Sequence, residues 1–310
     1  MKLSRRSFLV CASGAFAARG GRSQSLPQSA KTRLILLGTA GGPTPKKTRA
    51  APAQVIVAGG SAYVVDCGNG VARQLALARV PLHTIRHVLI THHHSDHNAD
   101  YGTLLLLAWS SGLKTRVDTW GPAPLGRITG LFFDMSAPDL KVRELDEGKS
   151  PLRPLVHPHE IAGPGPVFED ERVKVRCALV NHPPVKPAFA YRFDAPDRSI
   201  VISGDTSRSP NLIGLARGAD VLVHEVLYVP AVDEIAGSGP DAANLKQHLI
   251  NSHTSLSEVG KIAAEAGVKI LVLSHFVPAE TPEVPDQVWL AGAKAHFSGE
   301  VIVAKDLMEI

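Results

Sequence analysis

Apolar runs typical of β-strands end repeatedly on a histidine or an aspartate. VLIT runs into His92, CALVN into His182, VISG into Asp205 and LVLS into His275. Strands that lie side by side bring their ends to one edge of a sheet, so residues far apart in the sequence can converge there. The chain is therefore expected to fold into sheets whose strand ends build one site.

Strand-like and helix-like segments alternate in two halves of the chain. Short β-rich runs bounded by glycines predict strands, and longer runs with helical periodicity predict helices between them. The strand-like runs are RLILLG, QVIVAG, AYVVDCG, HVLIT, VKVRCALVNH, FAYRF, SIVISGDT, VLVHEVLY, KILVLSHF and EVIVAK. The helix-like runs are VARQLALARV, DYGTLLLLAW, NLIGLARGA, EVGKIAAEAG and PDQVWLAGAKAHF. This alternation predicts an α/β fold, a layered αββα sandwich.

Two local features refine this prediction. Ser255-x-x-Glu258 has the spacing of a capping box and predicts the start of the helix EVGKIAAEAG. Residues 121–171 are rich in proline and show little periodicity, so their structure is the least predictable. We expect this segment to supply the walls of the substrate pocket.

Length and composition fit one domain after a short N-terminal segment. The chain has 310 residues, 44% of them hydrophobic, and a mean hydropathy of +0.04, which is too balanced for a disordered protein. We expect residues 1–30 to form an export signal and linker and residues 31–310 to form one globular domain.

The first residues resemble a bacterial twin-arginine export signal. Ser4-Arg5-Arg6-Ser7-Phe8-Leu9 is followed by a short apolar run and by small residues similar to an A-x-A cleavage site. A Sec signal or a weak anchor is the alternative. Cys11 lacks the small preceding residue that a lipoprotein site needs. We expect a periplasmic or secreted mature protein that does not span the membrane.

The net charge bears on the kind of partner. Cleavage after Ala17 would take the formal charge from +4 to +1. Nucleic-acid affinity depends on many phosphate contacts, so a near-neutral domain favours a small-molecule partner and makes nucleic acid unlikely. The sequence leaves open whether the protein is a homodimer and whether Cys67 and Cys177 form a disulfide.

The stretch HHHSDHN, residues 92–98, supplies several coordinating groups within one turn of chain. Along an extended backbone, His92 and His94 point to the same side and His93 points away. Imidazole nitrogens and carboxylate oxygens are ligands that zinc accepts, and seven such side chains are enough for two ions. Asp205 is the expected bridge between them. The seven residues are His92, His94, Asp96, His97, His182, Asp205 and His275.

The spacing His-x-His-x-Asp-His resembles the signature of the metallo-β-lactamase superfamily. Over residues 33–305 the later ligands follow in the order that this superfamily implies, together with its αββα sandwich. The resemblance implies two Zn²⁺ ions, with Mn²⁺ or Fe²⁺ as alternatives. By the same resemblance, His92, His94 and His182 bind the first ion, Asp96, His97 and His275 bind the second, and Asp205 is shared.

Three features resemble the ribonuclease Z-like branch, which also contains arylsulfatases and small phosphodiesterases. LGTAGGPTP is similar to its opening glycine loop, VLVHEVLY carries a His-Glu pair, and His253-Thr254-Ser255 opens a helix. The resemblance implies that Glu225 orients His253, which protonates the leaving group. We expect Asp96, as a further catalytic residue, and Asp205 to steer the attacking metal-bound hydroxide. A histidine held by a carboxylate can donate a proton near neutral pH.

The remaining histidines are expected to lie outside the site. His224 is expected in the core or next to a ligand. Solvated loop positions are expected for His83, His87, His157, His159, His248 and His296, with a position lining the cleft as the alternative for His157 and His159.

We therefore expect an exported dinuclear zinc hydrolase that cleaves small phosphodiesters or sulfate esters by attack of metal-activated hydroxide. Members that process transfer RNA carry an inserted arm between the third histidine ligand and the bridging aspartate. Here His182 and Asp205 are only 23 positions apart, which argues against that substrate. The alternatives are a ribonuclease Z-type endonuclease, a lactonase-type carbonyl hydrolase and a non-catalytic metal-binding protein.

Overall fold

Two seven-stranded β-sheets face each other in the computed structural model, which describes residues 31–310. The first sheet has the order β14-β1-β2-β3-β4-β5-β6 and the second has the order β13-β12-β11-β10-β9-β8-β7. Helices cover the outer face of each sheet. The predicted α/β fold with αββα layering is therefore confirmed.

The first sheet changes from antiparallel to parallel pairing at β3. Strands β14, β1, β2 and β3 pair antiparallel, whereas β3, β4, β5 and β6 are parallel. Parallel neighbours need crossover connections, and helices supply them. The strands are β1 (Arg33–Gly38), β2 (Ala53–Ala58), β3 (Ser61–Val65), β4 (Ile85–Leu89), β5 (Val117–Gly121), β6 (Val156–Glu160) and β14 (Met308–Glu309); the helices are α1 (Val71–Leu77), α2 (Ser95–Asn98), α3 (Tyr101–Ser110) and α4 (Leu125–Asp146).

The second sheet repeats this change at β10. Strands β7, β8, β9 and β10 pair antiparallel, and β10, β11, β12 and β13 are parallel. Its strands are β7 (Gly165–Glu169), β8 (Lys174–Leu179), β9 (Phe189–Asp194), β10 (Ser199–Ile202), β11 (Val221–Leu227), β12 (Ile270–Val277) and β13 (Glu300–Val303). Its helices are α5 (Pro210–Ala216), α6 (Val232–Ala236), α7 (Ala242–Ser252), α8 (Leu256–Ala266) and α9 (Asp286–Lys294).

The apolar run of β1 shows why the layers form. Successive strand side chains point to opposite faces. Leu34 and Leu36 lie in the core between the two sheets, while Ile35 and Leu37 lie in the core beneath the helices of the first sheet. A strand covered on both faces is therefore apolar at every position rather than alternating.

The segment 121–171 contains most of the secondary structure that the sequence did not predict. It forms the 22-residue helix α4, which has Pro138 in its interior, and strands β6 and β7. Leu131 and Met135 are exposed on α4 whereas Phe133 is buried, so apolar residues lie on both faces and blur the periodicity. His157 and His159 lie in β6, so the prediction that they occupy a loop is wrong.

Helix α8 begins at the predicted position but without the predicted cap. Ser255 is the N-cap residue, yet its side chain makes no capping hydrogen bond. Its hydroxyl lies 3.0 Å from that of Ser257, and Glu258 instead accepts from Lys261 at 2.6 Å. The spacing therefore located the helix start, whereas local side-chain partners replaced the reciprocal bonds of the capping box.

Three further points concern the cysteines, the membrane and the N-terminal segment. Cys67 and Cys177 are buried free thiols. Within residues 31–310 no helix has the length and apolar character needed to cross a bilayer. The twin-arginine signal and linker, residues 1–30, lie outside the described residues, so export stays a prediction.

Two helical glycines test the packing that supports the second sheet. A Cβ atom at Gly260 in α8 would lie 2.2 Å from the carbonyl oxygen of Ala293 in α9, whereas one at Gly214 in α5 would meet open space. Gly260→Ala should lower the free energy of unfolding by about 1–3 kcal/mol because the two helices must separate. Gly214→Ala should raise it by about 0.5–1 kcal/mol. Urea denaturation of both variants checks this, and equal effects would contradict the packing.

Candidate metal centre

The seven predicted ligands come together at one end of the sandwich. His92 follows β4, His182 follows β8 and Asp205 follows β10, while His275 lies near the end of β12. Asp96 and His97 lie on the short helix α2. Both sheets therefore contribute, and the side chains form two groups of four that share Asp205.

The first group contains three imidazoles. Nδ1 of His94 lies 3.1 Å from Nε2 of His92 and 3.1 Å from Nε2 of His182. Oδ2 of Asp205 lies 3.9 Å from the Nε2 atoms of both His92 and His182.

The second group combines two imidazoles with two carboxylates. Nε2 of His97 lies 3.3 Å from Nε2 of His275, and each of these atoms lies 3.2 Å from Oδ1 of Asp205. Oδ2 of Asp96 is 3.5 Å from both nitrogens. The two oxygens of Asp205 thus face different groups, which is the arrangement expected of a bridging carboxylate.

These distances fit divalent cations. Ligands about 2.0–2.1 Å from a tetrahedral ion lie roughly 3.3–3.4 Å apart, close to the 3.2–3.5 Å separations in the second group. Oδ1 of Asp205 is buried without a hydrogen-bond partner. Buried oxygens and nitrogens that face one another need a proton or a metal cation between them, and imidazole and carboxylate groups are ligands that metals accept. The cluster therefore suits a dinuclear metal centre.

The electrostatics of the second group also favour a cation. Burial opposes protonation of His97, but Asp205, Asp96 and Asp66 outweigh it and raise its pKa well above the usual value. Burial similarly opposes ionisation of Asp205, yet His275 and His97 lower its pKa well below the usual value. A field that draws a proton onto a buried imidazole attracts a divalent ion in the same way.

Asp66 orients His97 and was missed by the sequence analysis. Its Oδ2 lies 2.8 Å from Nδ1 of His97, and Oδ1 accepts from the Thr91 backbone N–H at 2.8 Å. The bond to Nδ1 leaves Nε2 of His97 facing the second group. Asp66 ends the run AYVVD, so the same strand-end regularity that located the ligands could have located it.

Hydrogen bonds to the backbone fix two other ligands. Nδ1 of His182 lies 2.9 Å from the carbonyl oxygen of Ser252 and donates to it, which leaves Nε2 as the coordinating atom. The Gly42 N–H donates to Oδ2 of Asp96 at 3.1 Å, and Gly42 has φ of 84°. The left-handed backbone that favours glycine thus places the opening loop against the centre.

His275 occupies a β-bulge. Glu225 of β11 pairs with Ser274 and Val226 pairs with Phe276, so His275 is the extra residue, and its φ is 46°. A non-glycine residue in this region costs about 1–3 kcal/mol and persists only where its surroundings hold it there. The bulge turns His275 toward the second group.

Glu225 and His253 form the predicted pair. Oε1 of Glu225 lies 3.1 Å from Nδ1 of His253 and also accepts from the backbone N–H groups of Thr206 and Thr254 at 2.9 and 3.2 Å. Burial lowers the pKa of His253, but the Glu225 carboxylate outweighs it and raises the pKa to about 9. The carboxylates of Asp205 and Asp96 act in the same direction, so the site favours the protonated form of His253.

The other histidines divide between structure and cleft. Nε2 of His93 donates to the Pro122 carbonyl at 2.8 Å, so this ring points away from the centre. His224 is fully buried, as expected. His87 lies in β4 and stacks on Phe168, with ring centres 3.9 Å apart, so the prediction of a loop position is wrong for it.

A cleft of about 430 Å³ opens over the two groups. Its walls come from the glycine loop, residues 41–46, and from the segments 235–249 and 277–281. No residue of 121–171 lines the cleft, so the prediction that this segment forms the pocket walls is wrong. His248 on α7 lines it as well, so the prediction of a solvated loop position is wrong for this residue. Hydrophobic periodicity did not predict helix α7, because this helix buries little apolar surface.

The family follows from this fold and site. A family model described as "Beta-lactamase superfamily domain" matches residues 62–276, and the chain belongs to this superfamily. It is a metal-dependent hydrolase of the metallo-β-lactamase fold.

The curated relatives define the branch. A protein named ribonuclease Z from Mycobacterium bovis (strain BCG / Pasteur 1173P2) is 32% identical over 280 residues, which is 89% of this chain and 97% of the relative. Ribonuclease Z from Mycobacterium sp. (strain KMS) is 33% identical over 281 residues, 89% of this chain and 95% of the relative. The resemblance to the ribonuclease Z branch is therefore confirmed.

Solved structures agree on the fold. Human tRNase Z, short form, has a TM-score of 0.66 and 23% identity, covering 90% of this chain and 98% of that protein. The metallo-beta-lactamase fold protein YhfI from Bacillus subtilis has a TM-score of 0.65 and 22% identity, with 90% and 98% covered.

These relatives overturn two predictions. The assignment to small phosphodiesters or sulfate esters, and with it the view that nucleic acid is an unlikely partner, is wrong because the similar curated proteins are named ribonuclease Z. The short connection between His182 and Asp205, which has no space for an inserted arm, does not distinguish this chain from the curated relatives. An alignment of 280 residues that spans 97% of such a relative leaves no space for an additional arm in it.

Metal analysis tests the centre. Purified protein should contain two divalent ions per chain by inductively coupled plasma mass spectrometry, one for each group. Asp205→Ala should lose most of both, because this carboxylate faces both groups, whereas His182→Ala should lose mainly one. His93→Ala is the matched control and should keep both. Retention of two ions by Asp205→Ala would rule out the shared carboxylate.

Asp66→Asn tests the residue that orients His97. Asparagine tolerates the φ of 62° at this position, so the backbone should be preserved while the carboxylate is lost. Affinity for the second ion should fall about 10- to 100-fold in a competition titration with a chelator. Asp100→Asn removes a nearby carboxylate that accepts from the Gly70 N–H, and it should not weaken binding. Equal affinities of wild type and Asp66→Asn would remove Asp66 from this role.

Proposed function

We propose that this protein is a ribonuclease Z-type endonuclease that hydrolyses phosphodiester bonds in RNA. The observation that carries the proposal is the Glu225–His253 pair beside a dinuclear centre, in a chain at least 32% identical to proteins named ribonuclease Z over nearly their whole length. The alkoxide leaving group of RNA needs a proton, and His253 is placed to donate it as a general acid.

We propose zinc as the metal, with His92, His94 and His182 in one site, Asp96, His97 and His275 in the other, and Asp205 bridging. Imidazole-rich ligand sets suit zinc, and Mn²⁺ or Fe²⁺ remain alternatives. When bound, two such ions lower the pKa of water and neutralise negative charge that develops on phosphate oxygens.

The side chains divide the remaining work. The Asp96 carboxylate, held by the Gly42 N–H, orients the attacking water and accepts its proton. His253 donates its Nε2 proton to the departing oxygen, and Glu225 stabilises the positive imidazolium before that transfer.

The cleft is suited to accommodate one end of an RNA chain. Its wall combines the loop 41–46 with apolar residues of the segment 235–249, and Lys46 lies at its rim. A lysine beside the path attracts the phosphate backbone even though the whole domain is nearly neutral. Local charge in the cleft, rather than net charge, is therefore what binding requires.

Export is a separate proposal. The twin-arginine-like residues 4–9 support transfer of the folded, metal-loaded protein to the periplasm. Fractionation of cells that express the complete chain tests it, and a protein confined to the cytoplasm would contradict it.

The leaving group tests the role of His253. Metal-loaded protein should cleave a transfer-RNA precursor with a 3′ extension. His253→Ala should slow this cleavage about 10²- to 10⁴-fold, because the alkoxide then leaves without a general acid. Hydrolysis of bis(p-nitrophenyl) phosphate should slow far less, since nitrophenolate departs without protonation. The two rates are measured side by side under single-turnover conditions.

The matched control is His296→Ala, which replaces an exposed histidine after α9 and should retain both rates. Equal losses on the two substrates in His253→Ala would remove this residue as the acid. Absence of RNA cleavage by the metal-loaded wild type would overturn the proposed function.

A further inference from the structure

His248 is the one histidine of the cleft that the proposed reaction does not use. It lies on α7, half-buried, with its ring centre 5.7 Å from that of His253, 5.7 Å from that of His182 and 6.0 Å from that of His94. It is therefore next to the acid and on the same side of the cleft.

Hydrogen bonds define which nitrogen of His248 carries the proton. The Ser252 hydroxyl donates its single proton to the Pro183 carbonyl, which can only accept. Ser252 Oγ also lies 3.2 Å from Nδ1 of His248, so there Oγ accepts and Nδ1 donates. In a neutral imidazole the other nitrogen, Nε2, is then an acceptor. Among the described residues Nε2 of His248 has no hydrogen-bond partner.

Apolar side chains line the cleft beside His248. Ile235, Leu245 and Leu249 line the same side of the cleft from α6 and α7. A ligand that fills this side and offers no donor would leave Nε2 desolvated and unpaired, which is unfavourable. The site therefore selects a ligand that carries a donor next to the atom protonated by His253.

RNA supplies such a donor. During hydrolysis the water oxygen bonds to phosphorus, the P–O3′ bond breaks, and O3′ takes the proton of His253 while Asp96 takes the proton of the water. The 2′-hydroxyl lies on the ring carbon adjacent to C3′. A group within reach of both neighbouring oxygens must lie beside His253, and His248 does.

We propose that Nε2 of His248 accepts a hydrogen bond from the 2′-hydroxyl of the ribose whose 3′ oxygen leaves. This specificity-determining contact selects RNA over DNA at the scissile bond. The inference rests on the proposed function.

The test compares two RNAs that differ only at that ribose. One carries the natural 2′-hydroxyl and the other a 2′-fluoro group, which keeps the electron withdrawal and the sugar pucker but cannot donate. At pH 8, wild type should prefer the hydroxyl by about 3- to 10-fold in kcat/KM, the effect of one hydrogen bond. Equilibrium binding of the two RNAs to chelator-treated protein gives a second readout.

Three variants complete the experiment. His248→Phe keeps the ring without an acceptor and should bring the preference close to 1. His248→Gln retains an amide oxygen and should restore part of it. Leu245→Ala, on the same helix and the same wall of the cleft, should keep the wild-type preference.

The outcomes separate the two proposals. An unchanged preference in His248→Phe, with RNA still cleaved, would overturn the role of His248 and leave the proposed function intact. If wild type hydrolyses bis(p-nitrophenyl) phosphate but no RNA, the proposed function and this inference both fail.

Discussion

The carboxylate of Asp205 is the group on which the arrangement of the centre depends. Its two oxygens face different sets of ligands, with Oδ1 3.2 Å from the Nε2 atoms of His97 and His275 and Oδ2 3.9 Å from those of His92 and His182. Asp205 follows β10, so displacement of this strand would move the carboxylate away from both sets of histidines at once. The parallel order β10-β11-β12 holds this strand end beside those that carry Glu225 and His275.

Glu225 connects His253 to the strand ends that hold Asp205. A single oxygen accepts from the Thr206 and Thr254 backbone N–H groups and pairs with His253. Thr206 directly follows Asp205, and Thr254 directly follows His253. The Glu225 carboxylate therefore holds His253 at a fixed distance from Asp205, so the proposed metal centre and the proposed proton donor rest on one set of hydrogen bonds.

The layered fold and the convergence of the seven side chains were predictable because both depend on short-range rules: strand periodicity, strand ends and ligand chemistry. Asp66 obeys the same strand-end rule, although it was not identified from it. His248 and helix α7 were not predictable, since their positions in the cleft depend on contacts that only the tertiary structure creates. The substrate class was predicted wrongly from net charge and from the short connection between His182 and Asp205. Net charge averages over the whole surface, whereas a nucleic acid meets only the residues that line its path.

The division of ligands between the sheets has a consequence for how the protein holds together. His92, His94, Asp96 and His97 follow a strand of the first sheet, whereas His182, Asp205 and His275 belong to the second. A cation bound by side chains from both sheets would link the two sheets non-covalently. Binding of the ions should therefore add to the apolar packing between the two sheets, and removal of the ions should lower the free energy of unfolding.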